Sequence, residues 1–257
     1  MTPPLFSGAG VALVTLFDDD GEVDAKATAE HAATLVELGV QAVVVAGSTG
    51  EAATLTDAER TALLAEVRQA VPSTTPVLAG TGAPSRRQAA ALTRAAVHHG
   101  ADSVLALSPP RVSDARPYYH AVAEAAAGRP VLAYHYPQTS PPGIPIELLA
   151  ELPVQGLKDS SADPDRLLAE VAGYRGWLYV GSSALLALAG PLGCSGAVLA
   201  LARDRLSKLL TSINARVAVR LQPSRATREV PNRSATSAFK PWGKFRLMAI
   251  CASASAS

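Results

Sequence analysis

The chain has 257 residues, 48% of them hydrophobic, and its 23 basic and 22 acidic side chains leave a net charge of +1. That length suits one large domain or two small ones, and that charge gives no case for nucleic acid as a partner. Mean hydropathy is +0.18, yet no apolar run reaches the roughly 18–20 residues of a membrane span, and the start at Met1-Thr2-Pro3-Pro4 lacks the basic and apolar regions of a secretory signal. Two cysteines, Cys194 and Cys251, make neither a disulfide framework nor a zinc cluster, so the expectation is a reduced, cytoplasmic, soluble protein.

In chain order, β-rich apolar runs fall at 11–17, 41–46, 76–79, 103–107, 131–134, 154–158, 178–180 and 197–201. Helical patterns lie between them near 24–38, 57–70, 85–99, 115–126, 145–151, 164–172 and 183–190. Thr56-Asp57-Ala58-Glu59 reads as a capping box, Asp24 and Ser85 as N-caps, and Gly39 and Gly100 as helix stops. Uninterrupted apolar strands, each followed by a helix, are strands covered on both faces. Eight such units in about two hundred residues are the count and length of a TIM (β/α)8 barrel. The alternative, a doubly wound open sheet, would carry a Gly-rich G-x-G-x-x-G turn after the first strand, and none stands there.

In a barrel the chemistry lies at the C-terminal strand ends. The second predicted strand runs into Gly47-Ser48-Thr49-Gly50-Glu51, the fifth ends at Tyr134-His135-Tyr136-Pro137, and the sixth at Gly156-Leu157-Lys158-Asp159-Ser160-Ser161. Alternation puts Lys158 on one face with Gly156 and Val154. A lysine aimed into a barrel mouth is desolvated, which lowers its pKa and frees an amine to attack a carbonyl. A lysine at a strand end can also snorkel to solvent or pair with Asp159. Tyr134, on the neighbouring strand, is either a proton shuttle beside that amine or a buried tyrosine with a satisfied hydroxyl. The turn at 47–51 offers amides and hydroxyls that can hold a carboxylate, although such turns also merely connect elements. His98, His99, His31 and His120 show no metal-ligand spacing, and His135, facing opposite to Tyr134, reads as packing.

On these stretches, together with Ala12-Leu13-Val14-Thr15, Leu55-Thr56, Glu59-Arg60, Gly80-Thr81-Gly82, Gly100-Ala101-Asp102 and Gly181 followed by Leu185, the chain resembles the dihydrodipicolinate synthase / N-acetylneuraminate lyase family of pyruvate-type class I aldolases. The resemblance runs in family order over about residues 8–202. It implies a Schiff base between Lys158 and a 2-oxo acid, Tyr134 as proton shuttle, Thr49 as relay to it, and Ser48, Thr49 and Gly50 as the holders of the substrate carboxylate. It implies no cofactor and no metal, a small-molecule 2-oxo acid (pyruvate) and an aldehyde as partners, and a homo-oligomer, dimer or tetramer. Aldol cleavage, dehydration of a keto-deoxy sugar acid and simple pyruvate binding by an impaired barrel all fit the same residues.

Three departures stand out. Members that make dihydrodipicolinate carry a tyrosine pair after the fourth strand, where this chain has Ser108-Pro109-Pro110-Arg111. They also carry an arginine soon after Tyr-x-x-Pro, where it has Gln138-Thr139-Ser140-Pro141-Pro142-Gly143. Finally, residues 1–202 hold 12 basic and 20 acidic side chains, whereas residues 203–257 hold 11 and 2. The barrel is therefore assigned to 1–202. Residues 203–257 are assigned to a divergent C-terminal extension, one helix over about 204–221 followed by a poorly ordered basic tail, the reading expected of an altered gene end or of a divergent tail.

Overall fold

The computed structural model describes residues 3–200, which form a closed barrel of eight parallel strands in the order β1 to β8. The strands are β1 (Gly8–Ala12), β2 (Ala42–Val45), β3 (Val77–Gly80), β4 (Ser103–Leu107), β5 (Val131–His135), β6 (Gly156–Asp159), β7 (Trp177–Val180) and β8 (Gly196–Leu199). The helices are α1 (Ala25–Glu37), α2 (Asp57–Ala70), α3 (Arg86–His98), α4 (Arg116–Ala125), α5 (Pro164–Gly173) and α6 (Leu186–Leu192), with 3-10 turns at Ile146–Glu151 and Ser183–Leu185. The expectation of a TIM barrel holds. The reading of residues 203–257 lies outside the described residues.

Local signals set the helix starts. Asp24 accepts from the Ala27 amide at 2.8 Å and Ser85 from the Gln88 amide at 3.3 Å. Thr56 and Glu59 close a reciprocal capping box, at 2.6 Å and 3.2 Å, satisfying two amides the first turn leaves without partners. The first strand departs from the sequence reading. It runs over Gly8–Ala12 and not 11–17; beyond it, Phe17 makes only an isolated antiparallel bridge to Val23. The reason is closure. Gly8 pairs with Gly196 of β8, and a methyl group on Gly196 would sit 2.4 Å from the Gly8 carbonyl oxygen. Glycines with poor strand propensity thus make the seam, and propensity points past them.

Inward-facing Val44, Leu78, Leu105, Leu132 and Val198 fill the barrel, and Tyr179 stacks on Phe6 with ring centroids 4.5 Å apart. The Tyr179 hydroxyl donates to the Phe6 carbonyl at 3.0 Å, so this buried aromatic keeps a partner. A larger apolar shell lies between the strands and the helices. Burying one Leu or Val there contributes about 1.5–3 kcal/mol. No helix among the described residues is long and apolar enough to cross a membrane.

Candidate active site

Register builds the site. Tyr134 on β5 pairs with Lys158 on β6, which pairs with Tyr179 on β7, so three inward side chains share one row. Gly156, two residues before Lys158, leaves its space to neighbours: a methyl group there would lie 3.1 Å from the Trp177 Cβ and 3.3 Å from the Leu132 Cγ. Lys158 is only 4% exposed, and its Nζ lies over the Tyr134 ring, 4.2 Å from the centroid. The side chain enters the barrel. It neither snorkels outward nor pairs with Asp159, which faces the opposite way. Burial lowers the Lys158 pKa to about 7, because charging an amine away from water is costly.

Tyr134 is buried and stacks on Tyr136 at 5.8 Å between centroids. Burial pushes its phenol up from the ordinary tyrosine value, while hydrogen bonds from the Ser160 and Ser48 side chains act downward and the charge of Asp159 acts upward. The hydroxyls that reach the phenol are therefore those of Ser48 and Ser160. Thr49 is half-buried in the turn, and among the described residues no hydrogen bond joins its side chain to Tyr134. Ser160 was passed over in the sequence reading. The signal was present: it lies two residues past Lys158 and so on the same face, and its amide continues the strand ladder onto the His135 carbonyl at 2.9 Å.

Gly181, just beyond β7, makes this crowding possible. A methyl group there would approach the Ser160 Oγ to 1.9 Å and the Lys158 Cε to 3.0 Å.

The turn after β2 is held by Gly50 N to Gly47 O at 3.1 Å, Glu51 N to Ser48 O at 3.3 Å and Thr15 Oγ1 to Gly50 O at 2.7 Å. Its flanks, Ala46 and Glu51, have positive φ of 51° and 54°, a conformation uncommon for residues other than glycine. Among the described residues the Ser48 and Thr49 amides donate to no protein group. They are available to an anion at the barrel mouth.

Two loops cross the rim together. The Arg111 amide donates to the Pro141 carbonyl at 2.7 Å and the Ser140 hydroxyl to the Ser108 carbonyl at 2.5 Å. Arg111 is exposed and has φ of 61°. His135 faces away from the mouth. Its Nδ1 accepts from the Ile144 amide at 2.9 Å, and burial lowers its pKa to about 4, as expected for a packed neutral imidazole.

The family model described as the dihydrodipicolinate synthetase family matches residues 5–212. An uncharacterized DapA-like lyase of Halobacterium salinarum is 37% identical over 198 residues, 74% of this chain and 65% of its own length. A 4-hydroxy-tetrahydrodipicolinate synthase of Xylella fastidiosa is 38% identical over 174 residues, 65% of this chain and 57% of its own length. This chain thus spans less than two thirds of the length of these curated relatives. Among solved structures, the dihydrodipicolinate synthase of Acinetobacter baumannii, chloride inhibited and complexed with pyruvate, is 28% identical. Its TM-score is 0.74, over 83% of this chain and 76% of that one.

Proposed function

The chain belongs to the dihydrodipicolinate synthetase family, and from that premise we propose that it is a Schiff-base lyase that makes or cleaves a C–C bond beside the carbonyl of a 2-oxo acid, pyruvate above all. The observation that carries this reading is the buried Lys158 amine against the Tyr134 ring at the C-terminal mouth of the barrel.

The chemistry follows from the groups present. With a pKa near 7, about half of the amine is free at neutral pH, against fewer than about one in a thousand exposed lysines. The free amine adds to the keto carbon of the substrate. Tyr134 passes a proton to the resulting carbinolamine oxygen, which leaves as water and gives the iminium on Lys158. In cleavage, the phenolate takes the proton of the aldol hydroxyl. The C–C bond breaks toward the iminium, leaving an enamine and releasing an aldehyde. Protonation of the enamine carbon and addition of water return the 2-oxo acid and the amine. The Ser48 and Ser160 hydroxyls stabilise the phenolate between these steps. The substrate carboxylate rests on the turn of Ser48, Thr49 and Gly50, where the Ser48 and Thr49 amides have no protein acceptor among the described residues. No cofactor is required, since the iminium is itself the electron sink.

Dehydration of a keto-deoxy sugar acid uses the same lysine and phenol: the phenolate takes a proton from the carbon beside the iminium, and the resulting enamine expels the hydroxyl on the next carbon, which leaves as water with the phenol's proton. The Ser108–Arg111 segment in place of a tyrosine pair favours keeping this second reading. Borohydride reduction in the presence of pyruvate tests the common premise. A reduced adduct should form on Lys158 of the folded chain, and an adduct elsewhere, or none, rules the reading out.

A further inference from the structure

Behind Lys158, on the outer side of the barrel wall, lies a cluster that the proposed reaction does not use. Asp159 alternates with Lys158 and points out of the barrel toward α5. Its side chain is 1% exposed. Oδ1 accepts from the Ser161 amide at 2.6 Å and Oδ2 from the Ser161 hydroxyl at 3.0 Å. Glu170 of α5 reaches the same space and is 0% exposed. One guanidinium serves both: Arg166 Nε lies 2.7 Å from Glu170 Oε1 and 3.7 Å from Asp159 Oδ2.

The charges do not balance if both carboxyls ionise. Two carboxylates in contact would share a single cation in an apolar shell, and such an excess buried charge is costly. The hydrogen-bond inventory makes the same point. Only the Arg166 guanidinium donates toward Glu170 among the described residues, against two carboxylate oxygens, and the side chain is also within hydrogen-bonding reach of Asp159. A proton on Glu170 resolves both problems.

We propose that Glu170 is held as the neutral acid, donating to the Asp159 carboxylate, and that this acid pair is a positioning device that fixes the Asp159–Ser161 turn behind Lys158. The turn carries Ser160, whose hydroxyl meets the Tyr134 phenol, so the pair acts on the site only through it. The groups that face Glu170 are Asp159 from β6, Arg166 from its own helix, the Tyr174 phenol beyond that helix and the Cys194 thiol before β8. His135 on β5 senses Arg166 but is neutral. Arg166 therefore balances one carboxylate and no more. Burial, with Asp159 beside it, pushes the Glu170 pKa up to about 8.

The catalytic half of this proposal rests on the Schiff-base reading; the acid pair itself does not. The full chain and its Glu170→Gln variant are compared, because the amide copies the shape and the donor of the acid. Unfolded, Glu170 gives up its proton near pH 4.3, and folded it keeps it to about pH 8, so each step up between these values favours unfolding. Thermal melts should show the native chain losing about 5 °C or more against the variant from pH 5 to pH 8, and a constant difference above. Parallel melting curves, or a variant that fails to fold at pH 6, overturn the assignment. Borohydride trapping of pyruvate on Lys158 should match within about twofold at pH 6.5, and above pH 8.5 fall about tenfold in the native chain alone. Equal trapping at every pH overturns the positioning role. Absence of trapping in both chains, with the melting difference intact, removes the lyase reading and leaves the pair standing.

Discussion

The Lys158 Nζ sits 4.2 Å from the centre of the Tyr134 ring, a contact imposed by the in-register pairing of these two residues on β5 and β6. Two effects compete there. A ring face attracts a cation by about 0.5–2 kcal/mol, which would keep the amine charged. Burying that charge costs several kcal/mol, and burial wins, bringing the pKa to about 7.

Imine formation with pyruvate should therefore rise with pH through a midpoint near 7, and not near the ordinary lysine value. The same shift has a stability sign. The unfolded lysine keeps its proton to about pH 10.4, so between pH 7 and that value the unfolded chain binds more protons and folding gains as pH rises. Rates of borohydride trapping across pH 5.5–9 in the Glu170→Gln variant, which lacks the fall above pH 8.5 expected of the native chain, measure the first effect. A rate still climbing tenfold per unit above pH 8.5 would contradict it.

Tyr134→Phe removes the phenol proposed to carry the proton but leaves the ring against Lys158. Turnover should fall by about 10²–10⁴-fold, while the trapped adduct still forms slowly on Lys158. Ser160→Ala should fall in the same direction by a smaller factor, about tenfold, because a hydroxyl that supports the phenolate is worth one hydrogen bond. Steady-state kcat for both variants decides the order. A larger loss for Ser160→Ala would place the proton transfer on that serine.

Gly181→Ala places a methyl group 1.9 Å from the Ser160 hydroxyl and 3.0 Å from the Lys158 stem. Neither neighbour can stay where it is. The barrel should remain folded by circular dichroism, and trapping at Lys158 should drop by at least tenfold, as displacements of about 1 Å at a reacting centre cost this much or more. Normal trapping would show that Ser160 and Lys158 can rearrange freely.

The barrel was legible in the sequence because its strands are apolar runs of the correct length and its helices carry chemical start signals at Asp24, Thr56 and Ser85. The lysine and tyrosine were legible because strand alternation and strand ends are written in one dimension. What escaped has a common cause. Gly8–Ala12 escaped because the closure of β1 on β8 is set by a partner 188 residues away at Gly8 and Gly196. Ser48 and Ser160 meet one phenol from different strand ends, and the Asp159–Arg166–Glu170 cluster needs a strand and a helix to be docked before its charges can be counted. The family resemblance assigns the relay to Thr49 and gives Ser48 only the carboxylate, two neighbours in one turn whose side chains only the fold distinguishes.

Gly143→Ala tests the packing behind the β5 end. Gly143 has φ of +81°, and an added methyl group would lie 2.4 Å from the His135 ring. Backbone strain and overpacking together should cost about 2–4 kcal/mol. Denaturant titration measures the loss, and a midpoint within error of the native chain would mean that the loop relaxes at no cost. Since His135 is neutral and outside the mouth, residual activity of the folded fraction should be unaltered.

The last prediction concerns the second substrate. In relatives that make dihydrodipicolinate, the resemblance assigns an arginine beyond Tyr-x-x-Pro to the carboxylate of the aldehyde, and here Gln138–Gly143 supplies none. Arg111 is a cation on the facing rim; it is exposed, and its backbone amide ties the two loops. A lost charge-assisted contact of this kind is worth about 1.5–3 kcal/mol, or roughly 10–150-fold in kcat/KM. Aspartate semialdehyde should thus be turned over with pyruvate at least tenfold less efficiently than an uncharged hydroxyaldehyde of similar size. The measurement is kcat/KM for the two aldehydes at equal pyruvate. If the semialdehyde proves the better substrate, Arg111→Ala should abolish that advantage, and its failure to do so would leave the carboxylate bound by the backbone of the rim.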